Sequence, residues 1–126
     1  MDKSYGKKQW VFPDGDRPPA HREVDGADET LMILNTTNST AHIQLTVYYT
    51  DQEPINAAVL EVPGQRIKCI STAKLWREGK LDVGIHEQYA FTLQSDAPIV
   101  AQYLKCSDDD QPMHVYGMMG YNCDFS

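Results

Sequence analysis

Residues 89–105 read Tyr-Ala-Phe-Thr-Leu-Gln-Ser-Asp-Ala-Pro-Ile-Val-Ala-Gln-Tyr-Leu-Lys, and this stretch decides the fold. Tyr89, Phe91 and Leu93 alternate with Ala90, Thr92 and Gln94. Beyond Ser95-Asp96-Ala97-Pro98, Ile99, Ala101 and Tyr103 alternate with Val100, Gln102 and Leu104. Such short apolar runs with period two suit strands buried on at least one side. Asp at the start of a turn with Pro inside it is sound turn chemistry. The stretch therefore predicts a β-hairpin turning at Ser95–Pro98, at the centre of an all-β domain.

The chain before this stretch follows the same pattern. Lys8 to Phe12 predicts a first strand, stopped by Pro13-Asp14-Gly15-Asp16-Arg17-Pro18-Pro19. A polar segment containing His21 runs to Gly26 as a surface loop. Glu29 to Asn35 predicts a strand around Leu31-Met32-Ile33-Leu34. Asn35 to Thr40 is a turn rich in Asn, Ser and Thr; its two glycosylation-type triplets read as turn chemistry. From Ala41 to Thr50, Ile43, Leu45, Val47 and Tyr49 alternate with His42, Gln44, Thr46 and Tyr48, the cleanest alternation in the chain. Ala57–Val62 and Arg66–Ile70 flank the turn dipeptide Pro63-Gly64. Ser71 to Arg77 allows a short helical turn capped by Ser71 or Thr72.

After Lys105, Ser107-Asp108-Asp109-Asp110-Gln111-Pro112 is an acidic turn. His114 to Tyr121 is a last strand, in which Gly117 and Gly120 signal a bulge or a close backbone approach. About eight short strands without a long amphipathic helix predict a single-domain β-sandwich spanning 1–126, of jelly-roll type.

Length and charge narrow the function. A chain of 126 residues is one domain by the length prior and folds without a disulfide or metal. No apolar run is long enough to span a membrane, and the charged start lacks a signal-peptide pattern. Three cysteines, Cys69, Cys106 and Cys123, without CxxC spacing fit a reduced, cytoplasmic setting. The net charge of −7 repels nucleic acid and anionic membranes, and no basic cluster offsets it.

No catalytic motif is present: no G-x-S-x-G, phosphate loop, G-x-G-x-x-G or H-E-x-x-H. His21, His42, His86 and His114 lie in separate segments without ligand spacing, so neither a metal nor another cofactor is expected. Asp108–Asp110 lacks the spacing of a calcium loop, and Asp51 and Glu53 read as solvated turn carboxylates. More informative are polar groups set in apolar strands: Glu29, Arg66, Lys68 and Gln102. Each needs a partner if buried, supplied by a structural network, a subunit contact or a ligand. Trp10 is either a core residue or an apolar platform for a sugar or planar metabolite.

Several blocks, in order, resemble the Anabaena sensory rhodopsin transducer family. They are Trp10-Val11-Phe12-Pro13-Asp14-Gly15, the Glu29 strand ending in Leu34-Asn35, the run Leu45 to Pro54, Val62-Pro63-Gly64-Gln65-Arg66, and Tyr89-Ala90 with Ser95 to Gln102. The resemblance implies a jelly-roll sandwich assembled as a homo-tetramer, with a binding or signalling role rather than catalysis. It implies a sugar or related polar metabolite as ligand, or a membrane photoreceptor or other signalling protein as partner. DNA binding, also suggested within the family, is disfavoured by the charge.

The chain departs from the family pattern at Asp28-Glu29, where the family has His-Glu, and at Lys105-Cys106-Ser107, where it has Arg-Leu-Asp. Lys cannot reproduce the bidentate contacts of Arg. The site carried over is Trp10, Glu29, Asn35, Arg66 and Gln102, with Lys105 at the altered position. The expectation is that they converge in one pocket of a non-enzymatic module. The alternatives are a protein-interaction transducer without a small ligand and a cupin-like metal enzyme.

Overall fold

The computed structural model describes residues 4–16, 29–77, 88–106 and 115–125. The His21 loop, the segment around His86, the acidic turn at 107–112 and His114 lie outside the described residues. Eight strands and one short helix are described: β1 (Lys7–Asp16), β2 (Thr30–Asn35), β3 (Ala41–Tyr48), β4 (Ile55–Val62), β5 (Arg66–Ser71), α1 (Thr72–Arg77), β6 (Gln88–Cys106), β7 (Val115–Met119) and β8 (Tyr121–Cys123). They form two antiparallel sheets. Sheet A runs β4-β3-β6-β1-β8, and sheet B runs β5-β2-β6-β7. The expected all-β sandwich of eight strands is what the chain adopts.

The stretch at 89–105 departs from the expected hairpin. It is one 19-residue strand shared by both sheets. Its first half pairs with β1 and β3 in sheet A, its second half with β2 and β7 in sheet B. The chain does reverse at Ser95–Pro98. Phe91 and Tyr103 have ring centroids 5.0 Å apart, and the Tyr89 and Tyr103 hydroxyls lie 3.1 Å apart. Fourteen residues of straight strand would instead span about 46 Å.

The halves thus face each other across the core through side chains, not along a hydrogen-bonded ladder. The residues at the reversal explain this. Pro98 has no N–H to give to a ladder. Asp96 turns its carboxylate to the His42 backbone N–H (2.8 Å), and Ser95 Oγ accepts from the Ala97 N–H (3.2 Å). With its turn groups occupied locally, the strand crosses from one sheet to the other.

The alternation in each half then builds the core. Tyr89, Phe91, Leu93, Ile99, Ala101 and Tyr103 are all buried. They meet Trp10 and Phe12 from β1, Leu31 and Ile33 from β2, and Ile43, Leu45 and Val47 from β3. Phe12 stacks on Phe91 at 5.0 Å and tilts against Tyr103 at 5.9 Å. Each such pair adds about 0.5–1.5 kcal/mol beyond the area it buries.

The final predicted strand is split. β7 adds to sheet B and β8 to sheet A, with Gly120 between them. A Cβ at Gly120 would lie 2.6 Å from the Val11 carbonyl oxygen and 2.9 Å from the Phe12 ring. The glycine therefore serves close backbone approach.

Candidate functional site

The two ends of β2 carry the two buried polar side chains on which the candidate site turns. Glu29 precedes Thr30 at one end and Asn35 closes the other, which places them about 20 Å apart along the strand.

Asn35 is fully buried and bonded throughout its amide. Nδ2 donates to the Ser39, Val62 and Pro63 carbonyls at 2.8, 3.0 and 3.3 Å. Oδ1 accepts from the Thr37 N–H and hydroxyl at 3.0 and 2.8 Å. It ties the β2–β3 turn to the β4–β5 turn and keeps no group free for a ligand.

Glu29 is equally buried, but it belongs to a chain of hydroxyls. Tyr103 donates its phenol proton to Glu29 Oε1. That proton is then committed, so the Tyr89 hydroxyl donates to the Tyr103 oxygen at 3.1 Å. Burial pushes the Tyr103 phenol well above the usual tyrosine range, and the neighbouring Tyr89 and Glu29 push it the same way. Thr72, which starts α1, donates its hydroxyl to the Glu29 backbone carbonyl at 3.1 Å.

Tyr89 connects this buried chain to a surface cleft. The cleft holds about 240 Å³ and is lined by Pro13, Gly15, Tyr48, Tyr49, Thr50, Gln88, Tyr89 and Ala90. It lies where β1 ends, β3 ends and β6 begins. A Cβ at Gly15 would sit 2.8 Å from the Tyr89 ring, so only glycine lets β1 cross that ring. Tyr48 is exposed and Tyr49 half-buried, giving an aromatic wall. Thr50 and Gln88 add hydroxyl and amide groups. The volume falls below the roughly 300–1,000 Å³ of drug-sized pockets and suits a small ligand. A second void, about 10 Å³ between Leu31, Leu75, Phe91 and Tyr103, is too small for any metabolite.

Of the six residues expected to form one pocket, the five whose side chains are described do not converge. Trp10 is 2% exposed, and its Nε1 donates to the Lys7 and Ile99 carbonyls at 3.0 and 3.1 Å, so it is a core residue rather than a platform. Asn35 and Arg66 are opposed in the β2–β5 ladder, far from Glu29. Arg66 is exposed, and its Nη1 donates to the Gln65 carbonyl at 2.9 Å. Gln102 is exposed opposite Met32, on the other face of sheet B from Arg66. Lys105 pairs through its backbone with Tyr116 in β7; its side chain is not among those described.

Of the five whose side chains are described, Glu29 alone connects to the cleft, through the two tyrosines. Tyr48, Tyr49 and Gln88 escaped the sequence reading. The aromatic pair at the end of the cleanest alternating strand was the available signal.

One histidine among the described residues has carboxylate neighbours. His42 Nδ1 lies 2.9 Å from Asp96 Oδ2, and Nε2 lies 3.8 Å from Glu61 Oε1. All three side chains are more than half exposed. The His42 backbone N–H, with lesser help from the imidazole, holds the Asp96 carboxyl below its usual range. No group of three metal-ligating side chains is found among the described residues. No described helix is long and apolar enough to cross a membrane.

The profile of the family described as Anabaena sensory rhodopsin transducer matches residues 5–122. The chain belongs to this family. The solved structure titled "Anabaena sensory rhodopsin transducer" is 31% identical, with a TM-score of 0.71 over 81% of this chain and 97% of that one. The structure titled "Crystal Structure of Thermotoga maritima 1070" is similar in fold, with a TM-score of 0.77 and 24% identity over 96% of this chain and 98% of that one. No curated protein gives a significant match. Membership in the transducer family accords with a signalling domain. The blocks at Trp10–Gly15 and Leu45–Pro54 include the ends of the two strands at the cleft, and Ser95–Gln102 includes the crossing of β6.

Proposed function

We propose that this chain, acting as one unit over 1–126, is a non-enzymatic ligand-binding and signal-transducing module. It holds a sugar or related polar metabolite in the tyrosine cleft. The observation that carries this reading is the placement of Tyr48, Tyr49, Thr50 and Gln88 around one open cleft. Aromatic rings suit the C–H faces of a sugar, and hydroxyl and amide groups suit its rim. No charged side chain lines the cleft among the described residues, which favours a neutral ligand over a sugar acid or nucleotide.

The same reading includes a cytoplasmic homo-tetramer. Its support is the outer face of sheet B between β2 and β6, where Leu34 is exposed beside the half-buried Met32 and Val100. Family membership favours a second reading, a protein-interaction transducer of a membrane photoreceptor that needs no small ligand.

A thermal-shift screen of sugars, sugar acids, nucleotides and divalent metals tests the first reading. A ligand at 100 times its Kd stabilises by about 2.7 kcal/mol. The expected hit is a neutral sugar, with binding weakened at least about tenfold by Tyr48→Ala and unchanged by Arg66→Ala or Gln102→Ala. Silence across the sugars, or a hit indifferent to Tyr48→Ala, would count against the cleft.

A further inference from the structure

Among the described residues, β5 is the outermost strand of sheet B and pairs only with β2. Arg66, Ile67, Lys68 and Cys69 are all exposed along it. Ladder parity fixes which backbone groups stay open. The Thr72 N–H donates to the Glu29 carbonyl at 3.0 Å, so that position is hydrogen-bonded. Antiparallel ladders alternate, so Ile70, Lys68 and Arg66 bond to Leu31, Ile33 and Asn35. Ile67 and Cys69 therefore aim their N–H and C=O groups away from β2.

The side chains on this edge fall into two classes. Ile67 is 62% exposed and lies beside Leu34, at 38%, on the apolar outer face. Arg66 and Lys68 stand on the opposite face. Arg66 bonds to the Gln65 carbonyl, and Lys68 Nζ to the Glu61 carbonyl at 3.2 Å. Neither meets a carboxylate among the described residues, although the chain carries a net charge of −7.

Exposed strand edges are templates for another strand, and lysines on them deter like-charged partners. A second copy of β5 laid antiparallel would set Arg66 and Lys68 against their own copies. An acidic strand would instead neutralise them.

We propose that the open edge of β5 docks an extended acidic segment of a partner protein, added as a further strand of sheet B. Its backbone bonds to Ile67 and Cys69. Its residues alternate, with carboxylates beside Arg66 and Lys68 and apolar side chains beside Ile67. Main-chain bonds supply affinity and the alternating side chains supply selectivity. The site shares no residue with the tyrosine cleft, so it stands or falls separately from ligand binding.

The test uses the full chain under reducing conditions and a labelled short peptide alternating valine and glutamate. A peptide with lysine for glutamate is the control. The acidic peptide is expected to bind at least about tenfold more tightly than the lysine peptide and to weaken as salt rises. Hydrogen exchange should slow at the Ile67 and Cys69 amides.

Ile67→Pro removes an outward N–H on an edge strand, a position where proline is tolerated, and should abolish binding with the thermal midpoint held. The double variant Arg66→Glu with Lys68→Glu should reverse the preference toward the lysine peptide, a gain that unfolding cannot mimic. Equal binding of both peptides, binding of neither, or an unreversed preference in the double variant would overturn the proposal. So would protection at the β4 or β8 edges instead. Concentration-dependent protection of Ile67 and Cys69 without peptide would put a second copy on this edge and overturn it equally.

Discussion

Asn35 and Glu29 bury a polar side chain at opposite ends of the same strand, yet the two ends are built differently. At the Asn35 end, one amide satisfies the carbonyls of two turns and closes the sandwich. At the Glu29 end, a carboxylate is satisfied by a tyrosine, which is satisfied by a second tyrosine at a cleft. The first arrangement ends within the core. The second passes from a buried carboxyl group to a surface that a ligand can reach. Buried polar residues in an apolar strand therefore do not share one meaning; what separates them is where their partners lead.

The largest expected effect breaks the Asn35 end. Asn35→Ala strands the buried Val62 carbonyl and releases two turns, at a cost of about 2–4 kcal/mol in urea unfolding. A loss under about 0.5 kcal/mol would show that the turns hold without the amide and would erase the contrast.

Next, Tyr103→Phe removes the donor to Glu29 and should cost about 1–3 kcal/mol at neutral pH. It should also change the alkaline limb. The folded pKa of Tyr103 is raised, so its contribution is complete below the ordinary tyrosine pKa of about 10 and is lost as pH rises beyond it toward the folded value. Stability of the parent protein should thus fall above about pH 10, and Tyr103→Phe should lack that component. An unchanged alkaline slope would mean that Tyr103 is not the group responsible.

The smallest effect concerns the crossing of β6. The folded pKa of Asp96 is lowered, so its contribution is present above the ordinary carboxylate range and is lost as pH falls through the folded value. Asp96→Asn should flatten the acid limb below about pH 4 and change neutral-pH stability by no more than a few tenths of a kcal/mol, because the group is exposed. A steeper acid limb in the variant would contradict the sign.

Much of the fold was legible because alternation survives tertiary folding. Ile43, Leu45 and Val47 face the core as their period predicts, and Pro63-Gly64 turns the chain between β4 and β5. The reversal at Ser95–Pro98 was legible as a change of direction. Its geometry was not, because a hydrogen-bonded hairpin and a crossing between sheets bury the same alternate residues.

The site was less legible for a related reason. Asn35, Trp10 and Glu29 are polar or amphipathic residues in apolar surroundings, and each finds protein partners that sequence spacing cannot reveal. The cleft residues Tyr48, Tyr49 and Gln88 gather only because three strands end side by side, which no single segment records.

The shared strand also governs how the molecule comes apart. β6 hydrogen-bonds to β1, β2, β3 and β7, so each sheet depends on the same 19 residues. Peeling either sheet away frees half of β6 and withdraws side chains that the other half packs against. Such a chain has no weak layer to lose first. Its slowest amides should exchange in both sheets with one common opening energy, and melting should be a single cooperative event rather than a sheet-by-sheet retreat.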